Sequence, residues 1–314
     1  MTHRAPDQRR FSVARRRRRL RVLSLDGGGI RGLIPALVLA DIERRTARPI
    51  ASLFDLIAGT STGGIIACAL TMPTPMTAEE VADIYVKDGP KIFNRTLLKT
   101  ITSVGGLLDE VYDKRGTDEV MQRHFGATRL GEATTRVLVT VYDVQAREPL
   151  VLRSTTDPDV TMADASYATS AAPMYFEPIR VGERTLIDGG MFATNPAMYA
   201  YIESDPRPEL LLALGTGRQT RPLPYSDVKD WGKFEWGKPL VDIVSDGSAG
   251  AADAYLTALA GDTYVRVQTK LQHASDNLDD ASRENLANLR HEAERIIAEH
   301  DAVLDRVCAQ LVSG

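Results

Sequence analysis

Three short blocks of this 314-residue chain hold residue types that could carry acyl-transfer chemistry: "DGGGIRG" at 26–32, "GTSTG" at 59–63 and "DGG" at 188–190. Gly59-Thr60-Ser61-Thr62-Gly63 has the G-x-S-x-G form of a nucleophile elbow, a tight strand-to-helix turn that lifts a serine hydroxyl clear of a sheet. A serine hydroxyl is a weak nucleophile until a base takes its proton. The plainer reading is a serine that only caps the helix behind it.

The glycine turn allows two uses. Gly27-Gly28-Gly29-Ile30-Arg31-Gly32 matches G-x-G-x-x-G, but a dinucleotide site wants an acidic residue at the tip of the next strand. That strand runs into "AGTSTGG", which has none, and no G-K-[ST] follows to make a P-loop. The other use points the N–H groups of Gly27, Gly28 and Gly29 into a small cavity at a helix N-terminus, where they could hold an oxyanion.

Asp188 ends the apolar run "RTLID", and Gly189 and Gly190 supply a sharp turn that frees its carboxylate. An aspartate with a pKa of ~3.9 is a poor base at neutral pH. Burial raises that value, and an adjacent serine can then pass its proton directly. Asp-Gly pairs also simply hold turns, and Asp26 and Asp55 share that plainer reading. The rival base is His273 in "KLQHASDNLDD", which would complete a Ser61–Asp188–His273 triad in α/β-hydrolase chain order. His291 and His300 fall on the polar side of the last helix, His124 near a helix end and His3 in a basic arm. "HEAER" is not H-E-x-x-H, so no zinc site follows, and no cofactor motif stands elsewhere.

These blocks need elements to position them. "LRVLSL" (20–25) reads as a buried strand, followed by the glycine turn and a helix over about 31–46. A second strand (53–58) and helix (62–70) repeat the plan around Ser61. Residues 77–88 read as a helix capped by Thr77, with Glu79 and Glu80 in its first turn. Further strands are expected at 135–144, 148–154, 184–188, 209–217 and 263–268, with one long amphipathic helix over 282–312. The alternation predicts an α/β three-layer sandwich, a mainly parallel central sheet with helices on both faces.

Charge divides the chain. Residues 1–21 hold nine arginines and one acid, while the whole chain is −4. Residues 1–19 are therefore read as a basic, disordered arm, and 20–314 as one catalytic domain. The arm has no apolar core for a signal peptide, and it suits an anionic membrane face. The acidic remainder would repel nucleic acid. No apolar stretch is long enough to span a bilayer, and two cysteines, Cys68 and Cys308, suit a reduced cytoplasmic chain. "KIFNRTLLKTITSVGGLLDEVY" (91–112) reads as a lid or a packed helix and loop. "DWGKFEWGKPL" (230–240) reads as an aromatic loop for a membrane interface or for the chain's own core.

Taken in order, the three blocks resemble those of the patatin-like phospholipases, Ser–Asp dyad lipid acyl hydrolases. "SYATSAAPMYFEPI" (166–179), "NP" (195–196) and "LALGTG" (212–217) are similar as well, and "LDDAS" (278–282) with the final helix resembles the bacterial branch. The resemblance implies Ser61 as nucleophile and Asp188 as base, with Gly27, Gly28 and Gly29 as oxyanion donors. It implies Arg31 as support for the oxyanion or a lipid phosphate, and Gly59, Gly63, Gly189 and Gly190 as motif support. It further implies an acyl-enzyme, no cofactor, a phospholipid or other acyl-lipid substrate of phospholipase A or lysophospholipase type, and peripheral contact with the inner membrane face. The triad esterase, an acyltransferase and a non-catalytic lipid- or nucleotide-binding module stay open beside it. Headgroup, acyl length and oligomeric state are not legible.

Overall fold

The computed structural model describes residues 19–313 apart from 94–97, 103–107, 113, 206, 219, 220 and 234. The expected arm (1–19) therefore lies almost wholly outside the described residues, as do parts of the expected lid. The chain opens with β1 (Arg21–Leu25), α1 (Leu33–Thr46), α2 (Ile50–Leu53), β2 (Leu56–Thr60), α3 (Thr62–Thr71), α4 (Ala78–Lys87) and α5 (Gly89–Ile92). It continues through β3 (Leu98–Thr102), β4 (Leu108–Tyr112), α6 (Lys114–Phe125), β5 (Arg136–Asp143), β6 (Glu148–Arg153), α7 (Met162–Ser170), β7 (Ile179–Val181) and β8 (Arg184–Asp188). It ends with α8 (Gly190–Ala193), α9 (Ala197–Glu203), β9 (Leu210–Leu214), α10 (Tyr225–Val228), α11 (Gly237–Ala260), β10 (Tyr264–Val267), α12 (Arg283–Glu299) and α13 (Asp301–Val312).

Eight strands form one sheet in the order β10-β9-β1-β2-β5-β8-β7, with β6 also on β5. β10, β9, β1, β2 and β5 run parallel; at one end β6 and β8 pair antiparallel with β5, and β7 pairs antiparallel with β8. The near-continuous apolar runs of β1, β2, β5 and β9 follow from burial on both faces. Leu23, Leu25, Ile57, Val139 and Leu212 face a large core built with α1, α3, α4, α7, α12 and α13. Their alternates Val22, Ala58, Leu138 and Leu211 face a smaller core closed by α9 and Leu256 of α11. That is the expected three-layer α/β sandwich.

Three boundaries differ from the expectation. The strand expected at 53–58 begins at Leu56, because Ile50, Leu53 and Phe54 bury themselves through the helical turn that follows Pro49. Asp55 then accepts the Arg21 N–H at 2.8 Å and fixes β2 beside β1. The helix expected over 282–312 breaks at His300, whose ring and N–H both turn back on the Ile296 carbonyl. Within the expected lid, residues 98–102 and 108–112 pair as the antiparallel strands β3 and β4. Cys68 and Cys308 are both free and buried. No helix among the described residues is long and apolar enough to cross a membrane.

Candidate active site

Ser61 stands between β2 and α3 with φ 54° and ψ −125°. A serine costs roughly 1–3 kcal/mol in such a conformation and holds it only where the surroundings enforce it. Here Ser61 N–H donates to Thr169 Oγ1 at 2.8 Å, and Thr169 Oγ1 donates to the Thr140 carbonyl at 2.7 Å. The Thr60 hydroxyl donates to the Ala193 carbonyl at 2.6 Å. The flanking glycines permit the close approach. A Cβ on Gly59 would strike the Gly63 carbonyl, and one on Gly63 would strike the Leu25 carbonyl. The Ser61 hydroxyl makes no capping bond to α3. It lines the same cavity as the carboxyl of Asp188, near enough to oppose the rise in that carboxyl's pKa.

Sheet topology brings these two residues together across the chain. β6 occupies one edge of β5 over Leu138–Asp143. β2 and β8 must therefore share the opposite edge, β2 ending opposite Thr140 and β8 ending opposite Val141. Running antiparallel, the two strands meet end to end, and the residues at their tips become neighbours. The antiparallel end of the sheet is what delivers the carboxylate.

Asp188 is 5 % exposed. Burial pushes its pKa up to about 7, against the Gly190 N–H and the nearby Ser61 hydroxyl, which favour the charged form. The Gly190 N–H donates to its Oδ1 at 2.6 Å. Gly189 packs so tightly on Thr140 that a Cβ there would strike the threonine hydroxyl and carbonyl.

The glycine turn lies against the serine: a Cβ on Gly27 would come within 3.2 Å of Ser61 Cβ. Gly27 N–H is already given to the Thr194 carbonyl at 2.9 Å, which removes it from the three expected donors. Gly28 and Gly29 N–H donate to no partner among the described residues. Sequence reasoning missed Thr62, the residue after the serine, whose N–H opens α3 and has no intrahelical acceptor. It also missed what "LDDAS" does. The Leu278 carbonyl accepts Ile30 N–H at 2.9 Å, and Asp279 accepts the Tyr112 hydroxyl at 2.8 Å, so this loop clamps the glycine turn.

Arg31 is buried in the same wall, its Nη1 without a hydrogen-bond partner among the described residues. Burial lowers its pKa, with Asp246, Asp242 and Asp276 pulling the other way. Asp26 does more than hold its turn. It forms a two-pronged ion pair with Arg266 of β10, at 2.9 and 2.5 Å.

Ser61, Asp188, the glycine turn and Arg31 all line one cavity of about 300 Å³. Its wall is apolar toward α4, α5 and α6, with Ile84, Ile92, Val120, Met121 and Phe125. Toward β10 and α11 it is polar, with Arg218, Arg266, Gln268, Asp242 and Asp246. His273 is exposed and does not line it. Its N–H donates to Glu292 at 2.7 Å, and its ring lies 5.7 Å from that of His291. The histidine in the cavity wall is His124, tied through Nε2 to Asp88 at 2.9 Å.

A family model for patatin-like phospholipase matches residues 23–201, which contain Ser61, Asp188 and the glycine turn. The chain belongs to the patatin-like phospholipase family. That places it among the lipid acyl hydrolases. "Patatin-2-Kuras 4" of Solanum tuberosum is 29% identical over 88% of this chain and 86% of its own length. "Patatin-like protein 2" of Oryza sativa subsp. japonica is 29% identical over 85% of this chain and 81% of its own. "Probable inactive patatin-3-Kuras 1" of Solanum tuberosum is equally similar, at 29% over 88% and 86%. Overall likeness to a patatin therefore does not by itself carry activity, and the state of the site does. Among solved structures, VipD from Legionella pneumophila aligns over 90% of this chain and 67% of its own, with a TM-score of 0.46 at 10% identity.

Proposed function

We propose that this patatin-like protein is a phospholipase A-type hydrolase that cleaves carboxylic esters of membrane lipids through a Ser61–Asp188 dyad and an acyl-enzyme. The observation that carries the reading is a strained Ser61 sharing one cavity with a buried Asp188 carboxyl, which burial pushes up to about 7. A base poised near the working pH accepts a proton in the transition state and still holds it for the leaving group.

Ser61 Oγ attacks the ester carbonyl carbon as its proton passes to Asp188. The carbonyl π pair moves onto oxygen, and the N–H groups of Gly28, Gly29 and Thr62 receive that oxyanion. Collapse breaks the bond to the alkoxy oxygen, which takes the proton from Asp188 and leaves as the lysolipid or alcohol. Water then attacks the acyl-enzyme as Asp188 takes its proton; the acyl–Oγ bond breaks, Ser61 Oγ takes that proton back, and the carboxylic acid departs. The apolar wall at α4–α6 suits the acyl chain. Arg31, with an unmet donor, suits the lipid phosphate, and the enzyme works peripherally at the inner face of a membrane.

The exposed position of His273, outside the cavity lining, favours the dyad over the triad. The test is a fluorophosphonate probe together with mass spectrometry of products from a mixed lipid extract. Wild type should label and release fatty acid, and Ser61→Ala, folded by circular dichroism, should do neither. Tight lipid binding without turnover in wild type would favour a binding module instead. Acyl products on an alcohol acceptor would favour an acyltransferase.

A further inference from the structure

The exposed apolar side chains among the described residues are concentrated in one stretch of the chain. Of eleven large hydrophobic residues exposed among the described residues, seven lie between Leu223 and Leu259. An eighth, Met174, packs its terminal methyl against Gly237 at the start of α11. Scattered apolar residues on a surface need no explanation, but a concentration of them along one segment does.

α11 organises that segment. Trp236, Leu240, Ile243 and Gly247 recur at spacings of four and three from the start of the helix, which places them on one side of it. No charged residue falls in that row. Leu240 is 53 % and Ile243 43 % exposed. The opposite side does different work. Val241, Asp242, Ser245 and Ala249 line the Ser61 cavity, and Leu256 closes the smaller core. One helix thus presents an uncharged apolar row outward and a cavity wall inward, so whatever covers the row sits beside the site.

We infer that the exposed row of α11, with the Trp231–Trp236 pair at its start, is the surface by which the protein docks on a lipid bilayer. The inference rests on the lipid-hydrolase reading for its choice of partner, since that substrate is reached at a bilayer. The segment leading into the helix has the matching composition. Leu223, Tyr225, Trp231 and Trp236 are interspersed with Lys229 and Lys233, and the two indoles stack edge to face at 5.1 Å. Aromatic rings with lysines settle at the headgroup level, and an apolar helix face lies in the interface plane. Asp230 and Glu235 offset those lysines, so insertion of apolar side chains, rather than charge, is what holds the surface to lipid.

The test uses the full chain and vesicles of phosphatidylcholine. These vesicles carry no net charge, which keeps the arginines of residues 1–19 out of the result. Trp231 and Trp236 are the only tryptophans, so their emission reports the proposed surface directly. Vesicles should shift that emission to the blue and carry the protein to the top of a flotation gradient, with little effect of salt. Leu240→Glu with Ile243→Glu, both at exposed positions, should keep the circular dichroism spectrum and turn over a short-chain soluble ester within about twofold of wild type. Its vesicle affinity should fall by ~10-fold or more. Full vesicle binding by the double variant would overturn the assignment. So would a wild-type dimer by sedimentation that the double variant dissociates, which would make a second copy the occupant. Ser61→Ala should still bind vesicles, so failure of the hydrolase reading and failure of the docking surface are read separately.

Discussion

Replacing Asp188 by asparagine removes the proposed base while keeping its shape, and it has two opposite consequences. Asparagine can still accept the Gly190 N–H that now reaches Asp188 Oδ1 at 2.6 Å, but it cannot take a proton from Ser61. Turnover of a soluble ester should fall by ~10²- to 10⁴-fold, the usual worth of a general base. Stability should move the other way. Burial raises the carboxyl from 3.8 to about 7, so the native state holds its proton where the unfolded chain has lost it. Stabilisation by that proton is fully present below about pH 4 and is lost as pH rises through 7. The ionised native state then carries a penalty on the order of 4 kcal/mol. Asparagine escapes it. Urea unfolding should therefore show the variant gaining on wild type by roughly 2–3 kcal/mol between pH 5 and pH 8.5. Wild-type kcat/KM should fall about tenfold per pH unit below pH 7, because only the ionised carboxylate can act as base. A stability difference that does not change with pH, or a wild-type rate that is flat down to pH 5, would refute the reasoning.

Three further substitutions probe the neighbouring parts. His273→Ala should leave kcat/KM within about twofold of wild type, whereas a loss of ~10³-fold would restore the triad. Gly28→Ala puts a methyl group onto the Thr216 side chain, so the turn must shift, and soluble-ester kcat should drop by ~10²-fold or more with the circular dichroism spectrum retained. Asp26→Asn leaves the buried Arg266 guanidinium without its carboxylate, and urea unfolding should show a loss of about 3–5 kcal/mol.

The residues that do local chemistry were legible in the sequence because their geometry is locally constrained. Ser61 between Gly59 and Gly63, and Asp188 before two glycines, each need a tight turn that few residues allow. Their meeting was not legible, since it depends on β2 and β8 sharing one edge of β5. Gly27 looked like a third oxyanion donor, and only the fold shows its N–H committed to Thr194. α11 escaped notice for a different reason. Its Gly247, Gly250, serines and aspartates lack the apolar periodicity of a core-facing helix, because one side faces a cavity and the other is exposed. Leu53, the last residue of α2, and Phe54 were read as strand because they are apolar in either conformation, and Pro49 was the local cue to the helical turn.

The most direct test of the central claim is rapid-quench mass spectrometry of the enzyme with a slowly deacylated ester. The account predicts an acyl adduct on the peptide that contains Ser61, forming at least ~10²-fold more slowly in Asp188→Asn. An adduct on another residue, or one that forms at the wild-type rate without Asp188, would contradict it.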